Sequence, residues 1–412
     1  MNDVLVAGAG IVGVSVALHL QREGRSVVLL DRQDPGEETS YGNAGLIERA
    51  SVVPFGFPRD LATILCYALN CSTEMRFHWP FLIRKAPWLA RFWYESSASR
   101  LRRAALDMLP LIERSVDEHL LLMTEAGMLD LLQRDGWLEA YRSEAGLARG
   151  AAGAAALNEF GLKYEVLDGT RLRAREPHLS DAFSGAVHWL DPATVSDPGR
   201  LVKGYARLFS QRGGAFIRGD AMKLRQEGST WSLATPGRTI RAREAVVALG
   251  PWSDALCSAL GYNVPLLSKR GYHAHFRPES GAMLNRPLLD TERGYVLAPM
   301  RQGIRLTTGI EFAPRDHAAT PVQLDEATVH AREVFPLKER VERSPWVGSR
   351  PCLPDMRPVI GPAPRHKGLW FAFGHNHHGL TLGPATGRLL SEMMTGKPTF
   401  ADAQPFAIER FL

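Results

Sequence analysis

The sequence predicts an α/β fold of two interleaved parts. One is built on a parallel sheet, and the other is an α+β part containing an antiparallel sheet. Three observations predict it. A strand–glycine turn–helix–strand unit occupies residues 3 to 32, "DVLVAGAGIVGVSVALHLQREGRSVVLLDR". A further strand–glycine turn–helix unit lies over 300 residues downstream, "GLWFAFGHNHHGLTLGPATGRLLSEMMTG". Between them, residues 265 to 312 alternate polar and apolar side chains, as antiparallel strands with one covered face do.

In the first unit, "VLVAGAG" is a short apolar run ending in glycine, the form of a buried parallel strand. "IVGVSVALHLQREG" spaces its apolar residues as a helix and stops at Gly24, and "SVVLLD" is the next buried strand. Gly8, Gly10 and Gly13 form G-x-G-x-x-G at the strand-to-helix turn. That spacing gives a tight turn, close approach of a pyrophosphate and close helix–strand packing, the Rossmann-like βαβ arrangement. Free N–H groups around Ile11 and Val12 then face the phosphates from the helix N-terminus. Asp31 ends the second strand eighteen positions past Gly13, where a carboxylate accepts both ribose hydroxyls; it disfavours a 2′-phosphate.

The nucleotide follows from what comes next. An NAD site would continue with another helix, but "DRQDPGEETSYGNAGLI" is a polar, glycine-rich loop. Arg32, Thr39, Ser40, Asn43, Ala44, Gly45 and Leu46 offer it backbone N–H groups and small side chains for a long, flat ligand. The other glycine turn, at Gly379, Leu380 and Thr381, sets another helix N-terminus against the far end of that ligand. There it stabilises negative charge developing on a reduced flavin. The expected cofactor is FAD.

"DVLVAGAGIVGVSVALHL", "ETSYGNAGLI", "AVVALGPWSDAL", "GSRPCLPDMRPVIG" and "FGHNHHGLTLGPATGRLL" together resemble the D-amino-acid oxidase/dehydrogenase superfamily of flavoproteins. The "ETSYGNAGLI" form is most similar to the bacterial D-amino-acid dehydrogenase branch. "GHNHHGLTLGPATGRLL" resembles relatives acting on cyclic D-imino acids such as cis-4-hydroxy-D-proline. The resemblance implies an FAD-binding domain of residues 1–75, 165–260 and 345–412, and a substrate-binding domain of residues 76–164 and 261–344. It also implies that the backbone around Met222 lies by the adenine, and that the turn of Gly250, Pro251 and Trp252 lies near the pyrophosphate. The reaction it implies is oxidation of the C–N bond of a D-amino or D-imino acid by hydride transfer to flavin N5, giving an imine.

Such a reaction needs a carboxylate clamp more than a general base. Arg350 in "WVGSRP" matches the family arginine that binds the substrate carboxylate, and a guanidinium takes a carboxylate bidentately. Tyr272 in "KRGYHAHF" is another candidate donor to that carboxylate. Arg270 is a candidate second cation, on the same strand face as Tyr272. His378 matches an active-site histidine of sarcosine-oxidising relatives and is suited to take a proton from the amine. His375 and His377 are its neighbours; "HNHH" has no common metal-site spacing and no acidic or cysteine partner in sequence, so no metal is expected. Some relatives attach flavin through a cysteine, but the offset of Cys352 from "PD" does not match, so the FAD is expected to be noncovalent.

With 45% hydrophobic and 23% charged residues, the chain reads as globular. Its net charge of +5 is scattered, which excludes the basic stripe of a nucleic-acid protein. Cys66, Cys71, Cys257 and Cys352 form no CxxC, and read as reduced, buried thiols of a cytoplasmic protein. A strand beginning at once leaves no room for a signal peptide, and no apolar run is long enough to span a membrane. The aromatic segment 77 to 94 is expected in the core, with peripheral contact at the inner face of a membrane as the alternative. The electron acceptor (quinone, carrier or oxygen) stays open. So do a sarcosine/glycine-type N-methyl amino acid oxidase, the catalytic subunit of a hetero-oligomeric opine or hydroxyproline dehydrogenase, and a non-catalytic nucleotide sensor.

Overall fold

The computed structural model describes residues 1–70 and 73–412; Cys71 lies outside them. The strand Asn2–Ala7 is buried in the middle of an eight-stranded sheet. It pairs in parallel with Val27–Asp31 on one side and with Arg238–Val247 on the other. Ala215–Arg218 extends the parallel run beyond Val27–Asp31, and Leu369–Phe373 pairs in parallel with the end of Arg238–Val247. The antiparallel strands Leu224–Glu227 and Thr230–Thr235 complete this side, turning at Gly228 and Pro236–Gly237 as their sequence requires.

Helices Ile11–Arg22 and Gly379–Met394, from opposite ends of the chain, pack against each other over that sheet. Gly383 and Gly387 make the approach possible. A Cβ at Gly383 would lie 2.9 Å from Ile11, and one at Gly387 2.7 Å from the backbone of Ser15. The two helix N-termini are thereby brought to one side of the sheet.

An eleven-stranded, mostly antiparallel sheet forms the other layer, with the long strand Leu267–Pro278 at its heart. Trp346–Cys352 and Gly303–Thr307 pair with that strand antiparallel, and Ile310–Phe312 joins it to Met75–Phe77. The sheet expected over 265 to 312 is therefore present, but it is larger than its sequence signal. Tyr164–Asp168 and Gly185–Trp189 pair with Trp137–Tyr141 in this sheet, and Trp346–Cys352 also belongs to it. The boundaries expected at 164/165 and 344/345 thus cut across a continuous hydrogen-bonded sheet. Conversely, Ala98–Glu113 and Ser115–Ala126, expected with the substrate part, pack against Gly379–Met394 beside the parallel sheet. Pairing between strands distant in sequence decides membership, and composition does not report it.

Of the aromatic segment, Phe77, Trp88 and Phe92 are core, whereas Trp79 and Trp93 are exposed. Cys257 and Cys352 are buried free thiols; Cys66 is free but only half-buried, contrary to expectation, because it lies on the surface helix Leu61–Ala68. Among the described residues no helix is long and apolar enough to cross a membrane.

Histidines buried between the layers make stability depend on pH. His119 bonds Leu380 O through Nε2 at 2.7 Å and faces the Tyr205 hydroxyl through Nδ1 at 3.2 Å. Burial pushes its pKa down to about 4, and burial likewise pushes His19 and His375 down to about 3. The unfolded chain takes up these protons near pH 6.5, while the folded protein resists them until much lower pH. Stability from these groups is full above about pH 6.5 and is lost as pH falls toward 4. Thermal midpoints should therefore fall steadily from pH 7 to pH 5; a midpoint that holds or rises would contradict the assignment.

Candidate functional site

A cavity of about 1000 Å³ runs between the two sheets and is bordered by both helix N-termini. Gly10 and His378 are the residues before these helices, and neither caps its helix with a side chain. Apart from that of Ile11, which Ser40 Oγ accepts, the first-turn N–H groups are therefore left for whatever occupies the cavity.

At one end the glycine turn is built by close contact. Gly8 has φ +113°, and a Cβ there would fall 2.2 Å from Ala248 O; a Cβ at Gly13 would fall 1.8 Å from Gly8 O. Gly8, Gly10, Ile11 and Val12 border the cavity, whereas Gly13 lies beneath it as the packing glycine. Asp31 Oδ2 accepts the Ala9 N–H at 2.6 Å and Oδ1 accepts that of Gln33 at 3.1 Å, so the carboxylate also braces the turn. Arg32 pairs with Glu38 at 2.7 Å and lies 4.1 Å over the Trp252 ring, forming one wall. Met222 and Gly250, the latter at φ +53°, border the same end.

The polar loop lines the middle. Ser40 Oγ accepts the Ile11 N–H at 3.0 Å, Thr39 Oγ1 donates to Ser349 O at 3.0 Å, and Asn43 Oδ1 accepts the Gly45 N–H at 2.8 Å. Thr39, Ser40, Asn43, Ala44 and Leu46 reach the cavity, as do Gly379 and Leu380 at the C-terminal helix. Gly45 and Thr381 support from behind instead. Gly45 sits at φ +79° against Val195 O, and buried Thr381 bonds Glu48 N and Leu46 O.

The far end gathers charge. Arg350 donates to Gly309 O at 3.0 Å and Thr308 O at 3.3 Å, and burial pushes its pKa below the usual arginine value. A Cβ at Gly271 would lie 2.9 Å from its Nη2, so a larger residue there would displace the guanidinium from this position. His378 is buried, with Nε2 2.9 Å from Ser51 Oγ and 3.6 Å from Glu48 Oε2. His377 packs against His378 with ring centroids 3.8 Å apart and the rings tilted by 44°. Its Nε2 is buried and has no hydrogen-bond partner among the described residues. Burial, then His378, Arg350 and Lys269, hold His377 well below its ordinary pKa, so it is neutral. His375 instead bonds Thr386 at 2.9 Å, inside the core.

Two expectations fail here. Tyr272 borders the cavity, but its hydroxyl donates to Glu311 at 2.8 Å and accepts from Arg270 at 3.0 Å and Thr320 N at 2.9 Å. Arg270 is fully buried, pairs with Glu311 at 3.1 Å and donates to the carbonyls of Pro314, His317 and Ala318. Both belong to a structural cluster pinning the 314–320 loop, because Glu311 across the sheet supplies a counter-charge that local sequence does not show. Strand alternation correctly put 270 and 272 together; the cavity side of the strand carries Lys269 and Gly271 instead.

Sequence reasoning passed over Lys269 and Glu48, and named His377 only as a neighbour of His378. The parity of the strand was the one available signal for Lys269. The histidines do have an acidic neighbour: Glu48, His377 and His378 bring one ligand atom each within 4.8 Å of one another. The positive charges of Arg350 and Lys269 bearing on His377 oppose a cation there.

Comparison with known proteins gives this geometry its context. The chain is 30% identical over 426 residues to a D-amino-acid oxidase of Bradyrhizobium diazoefficiens, covering 100% of this chain and 99% of that one. It is 30% identical over 424 residues to a D-amino acid dehydrogenase of Granulibacter bethesdensis, covering 99% of each. Its fold matches the crystal structure of glycine oxidase from Geobacillus kaustophilus with a TM-score of 0.77 at 21% identity, over 100% of this chain and 99% of that one. The family of FAD-dependent oxidoreductases matches residues 3–393. With its glycine turn, its two uncapped helix N-termini on one cavity and this full-length match, the chain belongs to the FAD-dependent oxidoreductase family and its cofactor is FAD.

Proposed function

We propose that this protein oxidises the C–N bond of a D-amino or D-imino acid, with cis-4-hydroxy-D-proline among the candidates. The observation that carries the reading is Arg350: a half-buried arginine whose guanidinium has no carboxylate within hydrogen-bond reach among the described residues, at the end of the cavity opposite Asp31. FAD, when bound, accepts the hydride that leaves the substrate α-carbon. Asp31 would hold its ribose, the N-terminus at Ile11 and Val12 its pyrophosphate, and the N-terminus at Gly379 and Leu380 its far end.

Arg350 takes the substrate carboxylate, and the Thr308 and Gly309 carbonyls fix the direction in which the guanidinium points. The hydride leaves only from a neutral amine, so the ammonium must first lose a proton. His378, held between Ser51 and Glu48, is placed to receive it. The resulting imine is hydrolysed by water.

The flavin is held noncovalently. Cys352 is buried beside the charges of Lys269 and Arg350, and burial raises its thiol pKa. Acid precipitation should leave the yellow colour in the supernatant; colour kept in the pellet would reverse this assignment.

The function is tested by mixing the holoprotein anaerobically with D-amino acids, L-amino acids, cis-4-hydroxy-D-proline, glycine and sarcosine, following flavin bleaching near 450 nm. Bleaching confined to D-compounds supports the proposal, and bleaching by sarcosine alone replaces it with N-demethylation. Admitting air or a soluble quinone to the bleached sample then distinguishes an oxidase from a dehydrogenase.

A further inference from the structure

The Arg350 end of the cavity contains a second cation that oxidising a simple amino acid does not need. Lys269 stands directly opposite Arg350 in the register between Leu267–Pro278 and Trp346–Cys352. Side chains so placed on one sheet face have Cβ atoms about 4.5–5.5 Å apart. Lys269 is 8% exposed, and both residues border the cavity. The ammonium lies 4.0 Å over the Phe92 ring, 5.3 Å from Trp88 and 5.6 Å from Phe312, an aromatic seat that fixes its position.

Among the described residues neither cation forms an ion pair with a carboxylate: Glu48 attracts Arg350 only through space, and no carboxylate acts on Lys269. The groups acting on Lys269 are, after burial itself, the Cys352 thiol and Arg350. The Arg350 guanidinium has only the two backbone carbonyls as hydrogen-bond partners among the described residues. Two like charges facing each other in a cavity, with Glu48 near only one of them and in contact with neither, are costly unless a ligand brings negative charge to both. One carboxylate satisfies Arg350. Another is needed for Lys269.

We infer that Lys269 is a specificity residue for a second carboxylate, so that the preferred substrates are dicarboxylic amino or imino acids, with the α-carboxylate on Arg350 and the other on Lys269. This rests on the proposed amino-acid oxidation for its chemistry, but the binding claim is separable from it. The additional carboxylate has two sources, an acidic side chain or an N-linked carboxyalkyl arm.

The test uses the FAD-loaded protein and inert acids. Malonate, succinate and glutarate are titrated against acetate, propionate and butyrate, reading the perturbation of the visible flavin spectrum. Dicarboxylates should bind about tenfold to a hundredfold more tightly than monocarboxylates. In Lys269→Met that ratio should fall by a similar factor, and Lys269→Arg should restore most of it. A wild-type protein with no dicarboxylate preference overturns the inference, whatever the variants do. So does an unchanged ratio in Lys269→Met, and so does an equal loss for all acids with an altered affinity of the flavin for sulfite, which would place the charge on the cofactor. If Lys269→Met loses FAD, Lys269→Gln, similar in length and uncharged, carries the comparison.

Anaerobic bleaching by D-aspartate and D-glutamate against iminodiacetate then separates the two sources. Selective dicarboxylate binding without bleaching by any amino acid would leave the Lys269 site standing and refute the proposed oxidation instead.

Discussion

Arg350→Met should raise the substrate concentration for half-maximal flavin bleaching by about 10²–10³-fold, with FAD still bound. Removing one partner of a buried, charge-assisted pair costs on the order of 2–5 kcal/mol, about 30-fold to 5000-fold, a range that brackets that factor. Methionine keeps much of the aliphatic length, so the strand pairing of Trp346–Cys352 with Leu267–Pro278 has no reason to open. Among the described residues, the protein groups that lose a donor are the carbonyls of Thr308 and Gly309. Steady-state bleaching rates at varied substrate and the flavin-to-protein absorbance ratio together decide the point. A variant that loses FAD yet binds substrate normally would make Arg350 a structural residue.

Asp31→Ala should act in the opposite sense, weakening FAD retention by about 10²-fold while the protein stays folded. Charge-assisted hydrogen bonds are each worth about 1.5–3 kcal/mol, and the carboxylate makes two within the turn before any ribose is counted. Its bond to Ala9 N–H, at 2.6 Å, holds the residue between Gly8 and Gly10, so its loss also loosens the phosphate end. Asp31→Asn, which keeps one acceptor oxygen, should fall between the two. Desalting followed by flavin titration measures the loss, and circular dichroism checks the fold. Unchanged flavin content would remove the ribose assignment.

The two predictions differ in how their residues became visible. Asp31, Gly8, Gly10 and Gly13 are read from thirty consecutive residues, because a βαβ turn is a local structure and its steric demands fall on neighbouring positions. Arg350 is reached through a motif. Tyr272 and Arg270 are placed on one strand face correctly, yet their polar ends are taken up by Glu311, although Tyr272 still borders the cavity. Period-two alternation tells which side chains travel together and not which side the ligand takes. Lys269 is missed for the same reason.

Other parts of the site had no local signal at all. Glu48 and Ser51 lie more than 300 positions from His378, and meet it only because Gly379–Met394 packs on Ile11–Arg22. The strands Tyr164–Asp168 and Gly185–Trp189 gave no sign of their sheet, since hydrogen-bond partners are chosen by tertiary register.

By itself, then, the amino-acid sequence determined the glycine turn, the acid that closes it, the paired helix N-termini and hence a flavin dinucleotide as the ligand. Each of these follows from short-range sterics and backbone polarity. Which polar groups face that ligand, and which are neutralised by one another, was decided only in the tertiary structure. Charge pairing and burial act through space, and Glu311 settles the fate of Arg270 from across a sheet while Lys269, one residue away, is left facing the cavity.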